Sequence, residues 1–554
     1  MSISDDSFVV ILVFLLKTKT SNMPNYKVNV KWGKEKYAGL ELSTDQSPDI
    51  FKLQLFSLTN VLPERQKVML KGVTIKEDWG KLKLKDGMNL LMMGSAEELP
   101  QAPAEKTVFV EDMSEDQLMS AMDLVTGLDN LGNTCYMNAT VQLLKTVPEM
   151  DHALQSFSGN VNRAGLMASL GMTSAGAEMD DTVTASFRDL VRDLKSNEQS
   201  SIKPFMFLQL LYMRFPHFAE KNDHGQPMQQ DANEFLTELL RICQLKLKAV
   251  PMDVSGGRPF EPRDNFVDQY FGIDYDIKLK CLDEEAKDEP EKDSKETSLQ
   301  LNCFISQEVK YMLTGIKCRL QEEITKNSPT LNRDAKYSKT SKIKRLPAYL
   351  CVQMVRFYYK EKGQVNAKIL KDVKFPMSFD AYELCAPELQ ERLRVARGKF
   401  EADEEERAEA QLAGKQSGES KKMQELKKKE EEPKEYERFD FPDDVGSNNS
   451  GHYELQGVLT HQGRSSSSGH YVAWIRKKGD DWLKCDDDIV SPVTSEDVLK
   501  LSGGGDWHIA YVLLYGPRRL EKRDRSVKPA AGGETASISE ATPMDTTSTE
   551  NSAA

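Results

Sequence analysis

Residues 127–144 read GLDNLGNTCYMNATVQLL, and this stretch brings one cysteine to the point where a turn-rich segment meets an apolar, helix-forming run. The backbone N–H groups of a first helical turn have no partner inside the helix, so a sulfur placed there lies in partial positive charge that favours its thiolate. The apolar residues that follow can bury one helix face and hold the sulfur still. The pattern predicts a nucleophile at Cys135, with a buried structural thiol as the alternative.

A base and an orienting acid follow far downstream. His470 opens the alternating run HYVAWIR, and a second strand pattern, WLKC at 482–485, ends in Asp486. A turn at Gly479 would join the two strands as a hairpin whose cross-strand neighbours are about 5 Å apart. Successive strand side chains face opposite sides, so Asp486 and Asp488 share one face while Asp487 does not. We therefore predict a cysteine, histidine and acid arrangement in which a carboxylate on this face, at Asp486 or Asp488, orients His470.

These segments resemble the signature boxes of the ubiquitin-specific proteases. The histidine box reads LTHQGRSSSSGHYVAWIR at 459–476 and continues as WLKCDDDIVSPV at 482–493, and a third family element, QQDANEF, lies at 229–235. The resemblance covers most of residues 121–518. It implies an α+β, papain-like fold of palm, thumb and fingers, and a cysteine isopeptidase that hydrolyses the bond after the C-terminal glycine of ubiquitin without a cofactor.

The resemblance also assigns roles to individual residues, and it selects Asp486 as the acid that orients His470. Asn130 matches the position whose amide binds the oxyanion together with the Cys135 backbone N–H, although a turn asparagine that satisfies local backbone groups is the alternative. Gln230 and Asp231 match residues that shape the channel for the ubiquitin tail, and the alternative for Asp231 is a helix N-cap. Asp487 is a weaker candidate for a role near the oxyanion.

Further substrate contacts are expected beside the base, from Ser465, Ser466, Ser467, Ser468, Gly469 and Tyr471. The segment 464–469 has almost no apolar residue to anchor it, so we expect a loop that covers the cleft when substrate is absent. The resemblance implies low activity alone and stimulation on docking to a partner. The other histidines of this part, His461, His508 and His452, are interpreted as strand or loop residues with local hydrogen bonds.

The N-terminal part has the pattern of a small sheet with one helix. An alternating hairpin precedes an amphipathic helical stretch at Ile50–Val61, and short strands are predicted at 66–70, 82–84 and 90–93. This order resembles ubiquitin and predicts a β-grasp, ubiquitin-like domain. The chain passes Gly94 without a terminal Gly-Gly, which favours a docking module. Such a module ahead of this catalytic domain is typical of proteasome-associated family members, and implies binding to the 26S proteasome regulatory particle.

The composition of the chain suggests where the domains begin and end. We predict a disordered extension at 1–22, the ubiquitin-like domain at 23–98, a linker at 99–120, the catalytic domain at 121–520 and a disordered tail at 521–554. A highly charged insertion at about 400–433 should be mobile, with transient helix at most, because it has too few apolar residues to offset its ordering entropy. A coiled-coil partner is the alternative for this insertion. Solvated loops are expected at 171–181 and 283–297.

Charge and cysteine content restrict the partners. A net charge of −13 and a pI near 5.3 argue against nucleic acid and suit a basic protein partner such as ubiquitin. The apolar run at 8–16 is shorter than the roughly 20 residues of a bilayer span, so no stable membrane insertion is expected. None of the eight cysteines forms a CxxC pair, so no metal is expected at Cys281, Cys303, Cys318 and Cys351, and a cytoplasmic and nuclear location is predicted.

Two other functions stay open at this point. The first is a non-catalytic regulator that binds polyubiquitinated proteins and the proteasome. The second is a papain-type endoprotease, which would use the same catalytic residue types. Intact candidate residues at 130, 135, 470 and 486 favour an active ubiquitin hydrolase that trims ubiquitin from proteasome substrates.

Overall fold

The computed structural model divides into two compact units, Met1–Phe109 and Val110–Ala554. It describes residues 25–75, 78–79, 82, 84–95, 122–161, 176–196, 199–251, 263–286, 289–360, 365–416, 435–465 and 468–522. The predicted extension, the linker and nearly all of the predicted tail lie outside these ranges. The predicted domain boundaries therefore stay predictions.

The first unit is a five-stranded sheet covered by one helix, built from β1 (Asn25–Trp32), β2 (Glu35–Ser43), α1 (Pro48–Thr59), β3 (Lys67–Leu70), β4 (Val73–Thr74) and β5 (Asn89–Met93). The strand order is β2-β1-β5-β3-β4, with β1 and β5 parallel and the other pairs antiparallel. Val28, Val30, Leu55 and Leu90 form the centre of its core. This arrangement is the predicted β-grasp fold.

The predicted hairpin and helix of this unit are confirmed, and one predicted strand is wrong. Helix α1 begins after Ser47, whose side chain caps the Asp49 N–H, and ends at Asn60 in a left-handed conformation. Leu82 and Leu84, predicted as part of a strand, are not in one. Leu84 is buried in the core, so its apolar character serves packing and not strand pairing.

The first part of the second unit is mostly helical. Its elements are β6 (Gly127–Leu128), α2 (Cys135–Leu144), α3 (Pro148–Gln155), α4 (Gly176–Ser196), β7 (Ser201–Ile202), α5 (Phe205–Arg214), α6 (Ala232–Lys246) and α7 (Phe266–Phe271). Every residue of α2 is buried, so this helix is central to the unit. The Tyr136 ring packs against Phe218 and Phe235, which joins α2 to α6.

The rest of the second unit is mostly sheet. Its elements are β8 (Ile273–Cys281), β9 (Lys292–Ser298), β10 (Gln300–Phe304), α8 (Met312–Leu320), β11 (Gln321–Ser328), β12 (Arg333–Arg345), β13 (Leu350–Val355), β14 (Phe357–Lys360), β15 (Val365–Lys368), β16 (Ser378–Asp380), α9 (Pro387–Gln416), β17 (His452–Ser465), β18 (Ser468–Lys478), β19 (Asp481–Asp486), β20 (Ile489–Thr494), α10 (Ser495–Leu499) and β21 (Ile509–Pro517).

An eight-stranded sheet forms the base on which α2 packs. Its order is β10-β13-β21-β17-β18-β19-β20, with β16 paired to β17. A separate four-stranded sheet has the order β11-β12-β8-β9 and matches the expected fingers. Helix α2 lies against β18, β17 and β19, which brings the cysteine box to the histidine box. The predicted α+β papain-like fold is thus confirmed.

Three predicted loops contain regular structure. Within 283–297, residues from Lys292 onward form β9, an edge strand whose pairing with β8 needs no buried side chain. Within 171–181, residues from Gly176 onward belong to α4. The charged insertion begins inside α9, where Phe400 is buried beneath the guanidinium of Arg518 at 5.2 Å. Residues 417–434 lie outside the described chain.

Within the described ranges, no helix combines the length and apolar character that a membrane span requires.

Candidate active site

Cys135 is the first residue of α2, as predicted. Asn133 has a positive φ of 54°, and the Thr134 hydroxyl accepts the Leu131 N–H at 2.9 Å, so a tight turn leads directly into the helix. Only 2 % of Cys135 is exposed. The sulfur therefore lies at the positive end of the helix dipole and inside the protein.

His470 and Asp486 lie on the predicted hairpin of β18 and β19. Nε2 of His470 is 2.6 Å from Oδ1 of Asp486, and Lys484 donates to the other carboxylate oxygen at 2.8 Å. The hydrogen bond with His470 is the main cause that holds the pKa of Asp486 well below its usual range. The hydrogen bonds with Asp486 and then with Cys135 raise the pKa of His470 to about 10.

The imidazole thus lies between the acid and the thiol. Because Nε2 faces Asp486, Nδ1 is the ring atom left for Cys135. A histidine with a raised pKa is protonated at neutral pH, and its positive charge stabilises a neighbouring thiolate. The structure places the hydrogen-bonded pair of His470 and Asp486 beside the Cys135 thiol.

Asn130 belongs to a polar cluster beside this group. Its Nδ2 donates to Asp487 at 2.9 Å, and its Oδ1 accepts the N–H groups of Gly132 and Thr134. Asn138 donates to the same Asp487 carboxylate at 2.9 Å. Burial raises the pKa of Asp487, although both asparagines oppose this effect. Asn130 therefore satisfies the local turn and is also held by the strand end that carries the acid.

Two groups contact the sulfur: the side chain of Gln229, which the sequence interpretation did not select, and the backbone of Tyr471, which it selected only as a substrate contact. Nε2 of Gln229 lies 3.3 Å from Sγ, and the Tyr471 backbone N–H donates to Sγ at 3.5 Å. Gln229 is the first residue of the quoted QQDANEF element, in which the family match pointed to the next two residues. A signal was thus present, but the contact joins residues 94 positions apart.

Comparison with known proteins decides the family. The family model described as ubiquitin carboxyl-terminal hydrolase matches residues 126–515, which include the whole of this site. The chain belongs to the ubiquitin carboxyl-terminal hydrolase family. It is a cysteine-type deubiquitinase, as predicted, and ubiquitin conjugates are its substrates.

Relatives of this hydrolase match along nearly the whole chain. It is 39 % identical to ubiquitin carboxyl-terminal hydrolase 14 of Caenorhabditis elegans, over 89 % of this chain and 94 % of the relative. It is 37 % identical to ubiquitin carboxyl-terminal hydrolase 7 of Arabidopsis thaliana, over 89 % and 99 %. It is 38 % identical to ubiquitin carboxyl-terminal hydrolase 6 of Schizosaccharomyces pombe, over 88 % of this chain and 98 % of the relative. The similarity therefore includes the N-terminal unit.

Both predicted channel residues of the hydrolase are half-buried. Gln230 lies beside Gln229. Asp231 caps α6 by accepting the N–H groups of Asn233 and Glu234, and it also accepts the Tyr511 hydroxyl at 2.8 Å. Its carboxylate is thus held as the helix N-cap, the alternative given for it above.

A loop was predicted at residues 464–469 of the hydrolase, but part of this segment belongs to strands. Strand β17 continues to Ser465 and pairs with Ser468 at the start of β18, while residues 466 and 467 lie outside the described chain. Gly469 has φ of 136°. The Tyr471 side chain is fully buried, so its backbone N–H, and not its ring, is the part next to the sulfur.

The four cysteines named for a zinc site form no group of metal ligands among the described residues of the hydrolase. Cys281, Cys303 and Cys351 belong to three different apolar clusters, and Cys318 is exposed. Among the described residues, the group close enough to share an ion is His470, Asp486 and Asp487. Their polar atoms already form the hydrogen bonds given above.

Proposed function

We propose that this ubiquitin hydrolase removes ubiquitin from proteins bound to the 26S proteasome, in the cytoplasm and the nucleus. Cys135 is the nucleophile, His470 the proton carrier and Asp486 the group that orients the imidazole. The chemistry is supported above all by the 2.6 Å contact between His470 and Asp486 beside the Cys135 thiol. The proteasome assignment is supported by the ubiquitin-like first unit.

The proposed reaction is acyl transfer in two steps. The Cys135 thiolate attacks the carbonyl carbon of the last ubiquitin glycine, and the isopeptide C–N bond breaks as His470 gives its proton to the leaving lysine amine. His470 then takes a proton from water, whose oxygen attacks the thioester carbon, and the C–S bond breaks with its electron pair returning to the Cys135 sulfur. The Cys135 thiolate and protonated His470 are restored, and the new carboxyl group of ubiquitin releases its proton to solvent as the carboxylate forms.

The oxyanion of each tetrahedral intermediate needs hydrogen-bond donors. The Cys135 backbone N–H is one candidate because it belongs to the first turn of α2. The amides of Asn130 and Gln229 are the other candidates, and Gln229 already lies 3.3 Å from Sγ. Loss of one such donor typically costs about 100- to 1000-fold in rate.

A closed state of the cleft supports activation by docking. Cys135 is 2 % exposed, with Gln229 and the Tyr471 backbone against its sulfur. A ubiquitin tail must displace part of this cover before its carbonyl reaches Sγ. Docking on the proteasome would favour the open state, with a coupling of about 1–3 kcal/mol.

The proposed docking surface is the outer face of the first sheet. On β5, Leu91 and Met93 are 41 % and 52 % exposed, and Met69 of β3 lies directly beside Leu91. Lys67 pairs with Met93 and Lys31 with Leu91, so basic side chains border the apolar residues. An apolar patch with a charged border is typical of a protein interface.

The catalytic part is tested with ubiquitin that carries a C-terminal electrophile. Native protein should become covalently labelled, whereas C135A should not, and C135A should lose turnover of a ubiquitin reporter. C243A is a matched control because Cys243 is a buried thiol in α6 whose pKa burial raises to about 12. Labelling of C135A at the native rate would contradict the assignment of the nucleophile.

The docking part is tested by reporter turnover with and without purified 26S proteasomes. M93K should lose the stimulation and keep its basal rate. I50K is the control, because Ile50 is 49 % exposed but lies on α1. If native protein shows no stimulation, or if M93K is stimulated fully, the proposed docking surface is wrong. If C135A stimulates proteolysis as native protein does, the non-catalytic regulator is the better description.

A further inference from the structure

A buried lysine lies one strand away from the active site. Lys368 is the last residue of β15 and 9 % exposed, and its Nζ contacts the His461 carbonyl oxygen at 2.5 Å and His461 Nδ1 at 2.9 Å. Within the described residues, no carboxylate forms an ion pair with it. Burial and then Arg356 lower the pKa of Lys368 to about 7, and Asp506 opposes them. Burying an amine is costly unless it is hydrogen-bonded, and His461 supplies both of the hydrogen-bond partners given above.

His461 lies in the middle of the large sheet. It pairs with Tyr471 of β18 and Ile509 of β21, and its ring packs against Tyr471 at 4.6 Å and Phe357 at 5.3 Å. Burial and then Lys368 lower the pKa of His461 to about 3. The ring is therefore neutral, with one N–H donor and one acceptor nitrogen.

Lys368 decides which nitrogen of His461 is the donor. As an ammonium group, Lys368 has donors and no acceptor, so it donates to both the His461 carbonyl oxygen and Nδ1. Donation to Nδ1 makes that atom the acceptor, so the ring proton resides on Nε2. The tautomer of His461 on β17 thus depends on the position of Lys368, which lies on β15.

Nε2 of His461 is directed at the backbone that leads into His470. It is buried and has no close hydrogen bond among the described residues, and the nearby Ser468 backbone favours a proton on the ring. A Cβ at Gly469 would lie 2.6 Å from Nε2 and 2.1 Å from the Gln462 carbonyl oxygen. Only glycine fits there, so the segment is placed directly against the imidazole.

We infer that Lys368 and His461 are positioning residues for the catalytic strand: Lys368 holds His461 in the Nε2–H tautomer, and this N–H fixes the Ser468–Gly469 backbone beside His470. The inference rests on the proposed role of His470 as proton carrier. It adds that β15 takes part in catalysis through His461, without touching substrate.

A double-mutant cycle tests the coupling. K368M removes the amine but keeps the length of the side chain, and it should lower kcat on a ubiquitin reporter about tenfold with KM changed less than twofold. H461Q has a side-chain amide donor and no tautomer to select. In the H461Q background, K368M should change kcat less than twofold. K374M is the control, because Lys374 is exposed on the segment after β15.

A measurement on the native protein covers the case in which K368M does not fold. In protein labelled with 15N-histidine, the resonance that H461Q removes should have the shifts of a neutral Nε2–H tautomer. An Nδ1–H tautomer or an imidazolium would overturn the inference, as would an equal tenfold loss for K368M in both backgrounds. If H470A keeps native activity, the proposed function fails; if only the K368M effect is absent, this inference alone fails.

Discussion

Two histidines on neighbouring strands of one sheet have pKa values shifted in opposite directions. His470 on β18 faces the Asp486 carboxylate, which raises its pKa to about 10, whereas His461 on β17 is fully buried against Lys368 and its pKa falls to about 3. Burial is the main reason that His461 stays neutral, with Lys368 as the second cause, whereas the hydrogen bond with Asp486 keeps His470 charged. A carboxylate partner gives a proton carrier, and burial beside an amine gives a neutral positioning group.

Removal of each imidazole should separate the two roles most strongly. H470A should lower kcat/KM on a ubiquitin reporter at least about 1000-fold, because proton transfer to and from the thiol and the amine is lost. H461Q should stay within about threefold of native, since its amide keeps a donor. Steady-state kinetics with both variants decides this. Equal losses in the two variants would remove the distinction between them.

The carboxylate partner should matter somewhat less than the imidazole itself. D486N removes the main cause of the raised pKa of His470 and should lower kcat about 100-fold, because the ring is no longer held for Cys135. The imidazolium of His470 should then lose its proton at lower pH, and NMR titration of the His470 resonance would measure this change. D480N is a control in the turn between the same strands. An unchanged His470 titration in D486N would refute the assignment.

A smaller effect is expected from the amide beside the sulfur. Q229A should lower kcat about tenfold, because Gln229 contacts Sγ and is a candidate donor to the oxyanion. This is less than the usual cost of a lost donor, since the Cys135 backbone N–H and the Asn130 amide remain as candidates. Q230A is the matched neighbour and should affect mainly KM. Parallel kinetics on the two variants sharpens the comparison, and a larger kcat loss in Q230A would show that the family match chose the better residue.

The smallest effect concerns stability against pH. The pKa of His461 is about 3 in the folded protein and about 6.5 in an unfolded chain, so protons favour the unfolded state as pH falls below 6.5. Between pH 6.5 and 5.5 this costs about 1 kcal/mol. His470 contributes in the opposite sense, with stabilisation fully present below pH 6.5 and lost as pH rises toward 10.

Urea unfolding at the two pH values measures this difference. H461Q should lose about 1 kcal/mol less than native protein between pH 6.5 and 5.5. K374M should follow native protein. A native-like pH dependence in H461Q would mean that His461 titrates normally in the fold.

Local pattern was sufficient for the parts of the site that lie within one element or one hairpin. The turn-to-helix position of Cys135 and the pairing of β18 with β19 follow from short stretches of sequence. Gln229 and Lys368 were missed because their partners are 94 and 93 residues away and on other elements. Only the packing of α2 and β15 onto the sheet brings them together.

The errors in the fold have the same physical origin. Helix α9 continues into a segment whose charges suggest mobility, because Phe400 is buried and Asp403 forms an ion pair with Arg407. Strand β9 consists of exposed polar residues, and backbone pairing with β8 alone defines it. Composition reports what a segment can bury by itself, whereas both segments are ordered by their neighbours.

The end of the first sheet has a consequence for the enzyme's own chain. The Trp32 indole N–H donates to the Gly94 carbonyl oxygen at 2.9 Å, and a Cβ at Gly94 would lie 2.7 Å from both the Arg65 carbonyl oxygen and the Val61 side chain. A free ubiquitin tail has no such contacts to break before it enters a narrow slot. We therefore expect the backbone at Gly94 to be a poorer substrate for the enzyme than the tail of ubiquitin.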